Sequence, residues 1–175
     1  TPKLCNFIKS GKVEPHKLHT DNLSQETYSQ FLSSNAFWDN INTDKTLIFQ
    51  TDSVFCNGTN EKIDNFMHLD YIGSRAKWKV IEAGGNGGLS LRDTKLSREC
   101  STENGTTSPL EDVYFTKCIS EKGGQLGTLE EQGRFGTQNF FEHNSLGAHQ
   151  INRQLDKNKK QEFYSYCPEY LTTMK

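Results

Sequence analysis

The chain has 175 residues, with 20 Lys+Arg against 22 Asp+Glu and a hydrophobic fraction of 33%. That length suits one domain, and the balanced charge excludes a general pull toward nucleic acid polymers or an acidic membrane surface. No run of 18 apolar residues is present, which excludes a membrane-spanning helix, while 11 Phe, 6 Tyr and 2 Trp supply apolar area for a modest core.

The first 20 residues are polar apart from Leu4 to Ile8, the one strand candidate there. Asn22 followed by Gln25 reads as a helix cap and its capping-box partner, after which Tyr28, Phe31 and Leu32 share a helical face. A second short helix is expected to hold Phe37, Trp38 and Ile41. Thr46-Leu-Ile-Phe-Gln-Thr51 has the character of a strand buried on both faces. It stops at Asp52-Ser53 and is followed by the turn Asn57-Gly58. Ile63, Phe66 and Met67 return to helical spacing. Leu69 to Ile72 predicts a strand ended by Gly73, and Lys77-Trp78-Lys79 leads to the run Gly84-Gly-Asn-Gly-Gly88. Leu89 to Leu91 predicts a short strand, with a helix beginning near Asp93. Residues 101–109 read as a loop. Leu110 to Ile119 predicts a helix, and residues 123–139 are punctuated by glycine. Ser145-Leu-Gly-Ala-His149 precedes a polar C-terminal tail, 151–175, whose stretch 151–162 is expected to be a surface helix or partly disordered. Strands alternating with helices argue for a single α/β domain over 1–175.

The five cysteines, Cys5, Cys56, Cys100, Cys118 and Cys167, are scattered and lack a C-x-x-C pair. The expectation is neither a disulfide framework nor a structural zinc site, and a reducing compartment, the cytoplasm, is the simpler reading. Three N-glycosylation triplets oppose it: Asn22-Leu-Ser24, Asn57-Gly-Thr59 and Asn104-Gly-Thr106. No secretory signal is recognisable at the start of the sequence.

Four places could carry chemistry. Asp52 follows an apolar strand, at the sheet edge where α/β proteins bind ligands, and a carboxylate there suits a hard cation carrying phosphates; it also suits a turn cap. The run Gly84 to Gly88 permits positive φ and close backbone approach to a ligand, or forms a hairpin tip. It matches neither a Walker A loop nor a dinucleotide fingerprint. Glu111 and Asp112 open a helix, where the dipole favours acids, and either could serve as a general base. His149 could ligate a metal with Asp52, or only fill the core. The absence of H-E-x-x-H and G-x-S-x-G disfavours a zinc hydrolase and an α/β-hydrolase.

In order along the chain, Phe49-Gln-Thr-Asp-Ser53, Asp70-Tyr-Ile-Gly73, Gly85-Asn-Gly-Gly-Leu-Ser-Leu-Arg92 and Glu111-Asp-Val-Tyr-Phe115 resemble a poorly characterised domain family regarded as nucleotide-sugar glycosyltransferases of the GT-A fold. The resemblance runs from about Asn22 to about His149, and Phe37-Trp38 also fits. It implies a mixed, Rossmann-like sheet flanked by helices. This chain departs from the pattern in having few residues ahead of the Asp52 strand, so the N-terminal nucleotide-binding half is expected to be reduced. It implies a metal-dependent transferase moving a sugar from a nucleoside-diphosphate sugar to a hydroxyl of a glycan, glycoprotein or small-molecule acceptor; the acidic base candidate points to inversion. The Asp-x-Asp position of such enzymes matches Gln50-Thr51-Asp52. Asp52 and His149 would then hold Mn²⁺ or Mg²⁺. Gln50, Thr51, Ser53, Gly85, Asn86, Gly87 and Gly88 would border donor and acceptor. Asp112, with Glu111 beside it, would be the catalytic base. The missing first Asp of the triplet leaves a second reading, a non-catalytic relative that binds a nucleotide sugar or glycan.

Overall fold

The computed structural model describes residues 2–18, 20–77, 84–108 and 110–172, so His19, Trp78, Lys79 and Pro109 lie outside the described residues. The chain is mixed α/β. Leu4 to Ile8 falls not in a strand but in helix α1 (Pro2–Lys9), with Leu4 and Phe7 about half exposed. Helix α2 (Gln25–Leu32) starts later than the Asn22 cap predicts. Its cap is Ser24, whose side chain accepts from the Thr27 amide, while Asn22 Oδ1 binds only the adjacent Leu23 amide at 3.0 Å. Helix α3 (Asn35–Trp38) then buries Trp38, whose indole N–H donates to the Leu32 carbonyl at 2.7 Å.

Strand β1 (Lys45–Phe49) pairs antiparallel with β4 (Asn86–Asp93), and β3 (Tyr71–Ser74) lies antiparallel on the other side of β4. β1 is therefore an edge strand. The expectation of burial on both faces is corrected here, since Phe49 at its end is 68% exposed. Its apolar composition serves two different covers: Ile48 faces α-helices on one side and Leu47 a second cluster on the other. The strand expected over Leu89 to Leu91 is eight residues long and begins inside the glycine run. Asp93 ends it and caps helix α4 (Thr94–Cys100) by accepting from the Leu96 amide.

The faces of β4 separate by alternation. Leu89 and Leu91 join Phe66, Leu69, Ile72, Phe135 and Leu146. Ser90 and Arg92 point the other way, toward helix α5 (Glu111–Glu121), where Trp38, Tyr71, Phe115 and Ile119 form a second core. A smaller sheet is ordered β2-β6-β5, from β2 (Ser53–Phe55), β6 (Gly147–His149) and β5 (Gly136–Thr137), the last pair parallel. Helix α6 (Leu129–Phe135) leads into β5 behind a Thr128/Glu131 capping box.

The polar tail folds back as α7 (Ile151–Gln154), α8 (Lys157–Tyr166) and the 3-10 turn Pro168–Thr172. Among its described residues, the Lys, Asn and Gln side chains are exposed apart from the half-buried Lys160, as a surface helix requires. Phe163, Tyr166 and Tyr170 complete a third core with Ala148, Ile151 and Leu155. The expectation of no disulfides is also corrected. Cys56 bonds Cys167 across a sequence separation of 111, with Cα atoms 4.7 Å apart, and Cys100 bonds Cys118 with Cα atoms 6.0 Å apart. Partners so far apart meet only through the fold, and linear spacing carries no trace of it. Among the described residues no helix is long and apolar enough to cross a membrane.

Candidate functional site

A cleft of about 1160 Å³ collects the separate sequence motifs on one surface. Phe49, Gln50, Thr51 and Asp52 enter from the end of β1, Asn86 and Gly88 from β4, Glu111 and Asp112 from the start of α5, and His149 from β6. Leu18, the stretch 20–25 and Tyr28 also line the cleft.

The backbone brings Asp52 and His149 together. The chain turns after β1, with the Gln50 amide donating to Gly88 O and the Ser53 amide to Gln50 O. β2 then pairs antiparallel with β6 in a register that sets Ser53 opposite His149. His149 Nε2 consequently lies 3.3 Å from Asp52 Oδ1 and 3.0 Å from Gln50 Oε1, and its Nδ1 lies 3.4 Å from Gln138 Oε1. The ring is buried, whereas the Asp52 carboxylate is 39% exposed to the cleft. Burial, with a further contribution from Arg153, pushes the imidazole below its ordinary pKa against the pull of Asp52. The ring is therefore neutral near pH 7, the form that ligates metals. A neutral ring has a single N–H for the oxygens facing its two nitrogens. Nε2 and the Asp52 carboxylate are the groups here that could ligate a divalent cation, with Gln138 facing the other ring nitrogen. Among the described residues no group of three or more His, Cys, Asp or Glu side chains is placed to hold a metal. The protein would thus offer two ligands and leave the remaining positions to phosphate oxygens and water, as Mg²⁺ sites often do.

The glycine run behaves differently from its expectation. Asn86 and Gly88 line the cleft, whereas Gly85 and Gly87 are buried behind it. A Cβ on Gly85 (φ +92) would strike Gly73 O, and one on Gly87 would strike the Glu111 carboxylate. A Cβ on Gly88 would fall on the His149 ring. Three of the glycines are therefore required by close packing. Ser53 Oγ adds a bond to Gly88 O at 2.8 Å, tying the strand to the Asp52 turn.

The two acids of α5 have separate duties. Glu111 accepts two hydrogen bonds from the guanidinium of Arg92, at 2.7 and 3.1 Å, and both side chains are buried. That bidentate pair commits Glu111 to Arg92 and takes it out of contention as a base. Burial opposes the charge on Arg92, but Glu111 more than offsets it and the pKa is raised. Asp112 accepts from Asn86 Nδ2 at 3.0 Å, the Gly87 amide at 3.2 Å and the Val113 amide at 2.8 Å. Burial, and next the neighbouring Glu111 charge, raise its pKa above the usual aspartate range. The result is a more basic carboxylate, held rigidly at the cleft.

A family model described as a protein of unknown function (DUF5672) matches residues 12–151. The chain belongs to the DUF5672 family. No curated protein and no solved structure matches it. The matched span holds every motif residue above and ends at Ile151, so Arg153 and Gln154, which also line the cleft, fall just beyond it.

Sequence reasoning missed Arg92 as the partner of Glu111, and Gln138, Phe49 and Arg153 as parts of the site. Arg92 left a signal: a lone cation directly after Leu89-Ser-Leu91 in a strand expected to be apolar. Gln138 left none, because its role depends on β5 lying parallel to β6.

Proposed function

We propose that this domain is a metal-dependent glycosyltransferase of GT-A type that moves a sugar from a nucleoside-diphosphate sugar to an acceptor hydroxyl with inversion. The observation that carries this reading is the convergence of Asp52, His149, Asn86 and Asp112, distant in sequence, on one cleft. Mn²⁺ or Mg²⁺ bound by Asp52 and His149 would supply Lewis-acid charge to the leaving diphosphate. Arg153, exposed and without an ion-pair partner among the described residues, is the cation of the cleft rim and would anchor a phosphate. Phe49 offers a free aromatic face beside Gln50. Side-chain amides of Asn22, Gln25, Gln50, Asn86 and Gln150, donor and acceptor at once, suit a polyhydroxylated ligand. Asp112 would take the proton of the acceptor hydroxyl as its oxygen bonds the anomeric carbon and the bond to the diphosphate breaks.

The test is a thermal-shift titration with nucleoside diphosphates and nucleotide sugars, each with and without Mn²⁺. Wild type should be stabilised only when nucleotide and metal are present together. Asp52→Asn should lose that shift. Asp112→Asn should keep it and lose about 10²–10⁴-fold in turnover. No shift with any pair would sink the metal-nucleotide site. A shift without turnover in wild type would favour the non-catalytic reading.

A further inference from the structure

We propose that this chain matures in an oxidising compartment as an N-glycoprotein, with Asn57 and Asn104 as its acceptor residues. The inference is independent of what the cleft binds. Four of the five cysteines are paired, and the remaining Cys5 is exposed. Cys56, Cys100 and Cys167 are buried inside two of the three cores. Persistent bridges of this kind belong to secreted and luminal proteins, since thiol buffers keep cytosolic cysteines reduced.

In that setting the Asn-x-Ser/Thr triplets acquire chemical meaning. All three asparagines are exposed and lie outside helices and strands. They are not equivalent. The carboxamides of Asn57 and Asn104 have no hydrogen-bond partner among the described residues, whereas Asn22 Oδ1 accepts from Leu23 and its side chain lines the cleft. The hydroxyls of the two Thr triplets are both hydrogen-bonded, and the Thr106 amide also donates to Ser33 Oγ at 2.7 Å. Thr59 Oγ1 donates to Asn144 O and accepts from the Glu61 amide, and Thr106 Oγ1 accepts from the Ser108 amide at 3.0 Å. Each loop is thus pinned by its Thr and presents its Asn outward. Gly105, at φ +72, makes the second turn possible. Neither Asn57 nor Asn104 borders the cleft, so glycans there leave it open, while one on Asn22 would stand in it. In the reaction the Asn amide nitrogen bonds the anomeric carbon of an oligosaccharide carried on a lipid diphosphate. The lipid diphosphate departs, and the amide loses one proton to solvent.

The experiment is peptide mapping of the endogenous protein. It is alkylated before and after reduction, then treated with a peptide amidase that removes N-glycans in heavy-oxygen water. The expected result is Asp with incorporated heavy oxygen at positions 57 and 104, and a single thiol, Cys5, reactive before reduction. Unmodified Asn57 and Asn104 peptides would overturn the proposal. So would Cys56, Cys100, Cys118 and Cys167 alkylating without reduction, or a glycan on Asn22 alone.

Discussion

At Gly88 an added Cβ would land on Cε1 and Nε2 of His149, so a single methyl group must push the ring off Asp52 and Gln50. Gly88→Ala alters no ligand, no charge and no hydrogen-bonding group. It should nevertheless weaken Mn²⁺-dependent nucleotide binding by about tenfold or more, the usual scale for losing ligand orientation. Calorimetric titration of metal into the nucleotide complex would read this, and wild-type affinity would refute the placement of His149. The same ring predicts a pH response. Its folded pKa lies below the ordinary value of about 6.5, so the unfolded chain takes up the proton first on acidification. The stability it contributes is complete above about pH 6.5 and is lost as pH falls through the depressed folded value. Melting temperature should therefore drop between about pH 7 and pH 5 more steeply for wild type than for His149→Gln. Parallel slopes would mean that the ring is not the titrating group.

Besides the hydrogen bonds to Asp112, a buried ion pair joins helix α5 to strand β4, and it is an expensive one to break. Arg92 is fully buried among Tyr71 and Phe115, with its charge answered by Glu111. Glu111→Ala would strand a guanidinium in that core and should cost about 3–5 kcal/mol in urea unfolding, whereas a double replacement by Leu and Met should recover most of it. A single-variant loss under about 1 kcal/mol would show that water reaches the site. The pair also explains what could be read from the sequence and what could not. The helix at Glu111, the strand around Leu89 to Leu91 and the Asp93 helix start followed from local pattern, because caps and apolar alternation are short-range signals. The meeting of Asp52 with His149 was one of two alternatives that the residues left open, and only the family resemblance favoured it. The division of labour between Glu111 and Asp112 needed β4 to place Arg92 beneath one and Gly87 beside the other. Edge or centre for β1 was likewise invisible, since five apolar-rich residues read alike in both positions.

For the molecule as a whole, the C-terminal segment is the less obvious contributor. Residues 152–172 lie beyond the family match, yet they supply five of the eight buried residues of one core and one cysteine of its disulfide. Cys167→Ser should cost about 2–5 kcal/mol, and reductant, which also opens Cys100–Cys118, should cost wild type at least as much. Equal stability of oxidised and reduced wild type would show that the bridge is not made. One consequence concerns connectivity. Bonding Cys56 to Cys167 closes the backbone between them into a covalent ring that carries Asn86, Gly88, Asp112 and His149, with Gln50 and Asp52 in the turn just outside it. A single cut in that ring opens no new end to diffusion. In the exposed loop at 102–104 a cut is spanned twice, since Cys100 and Cys118 flank it as well. A nicked chain would migrate as one molecule and fall into two only when its sulfur bridges are reduced.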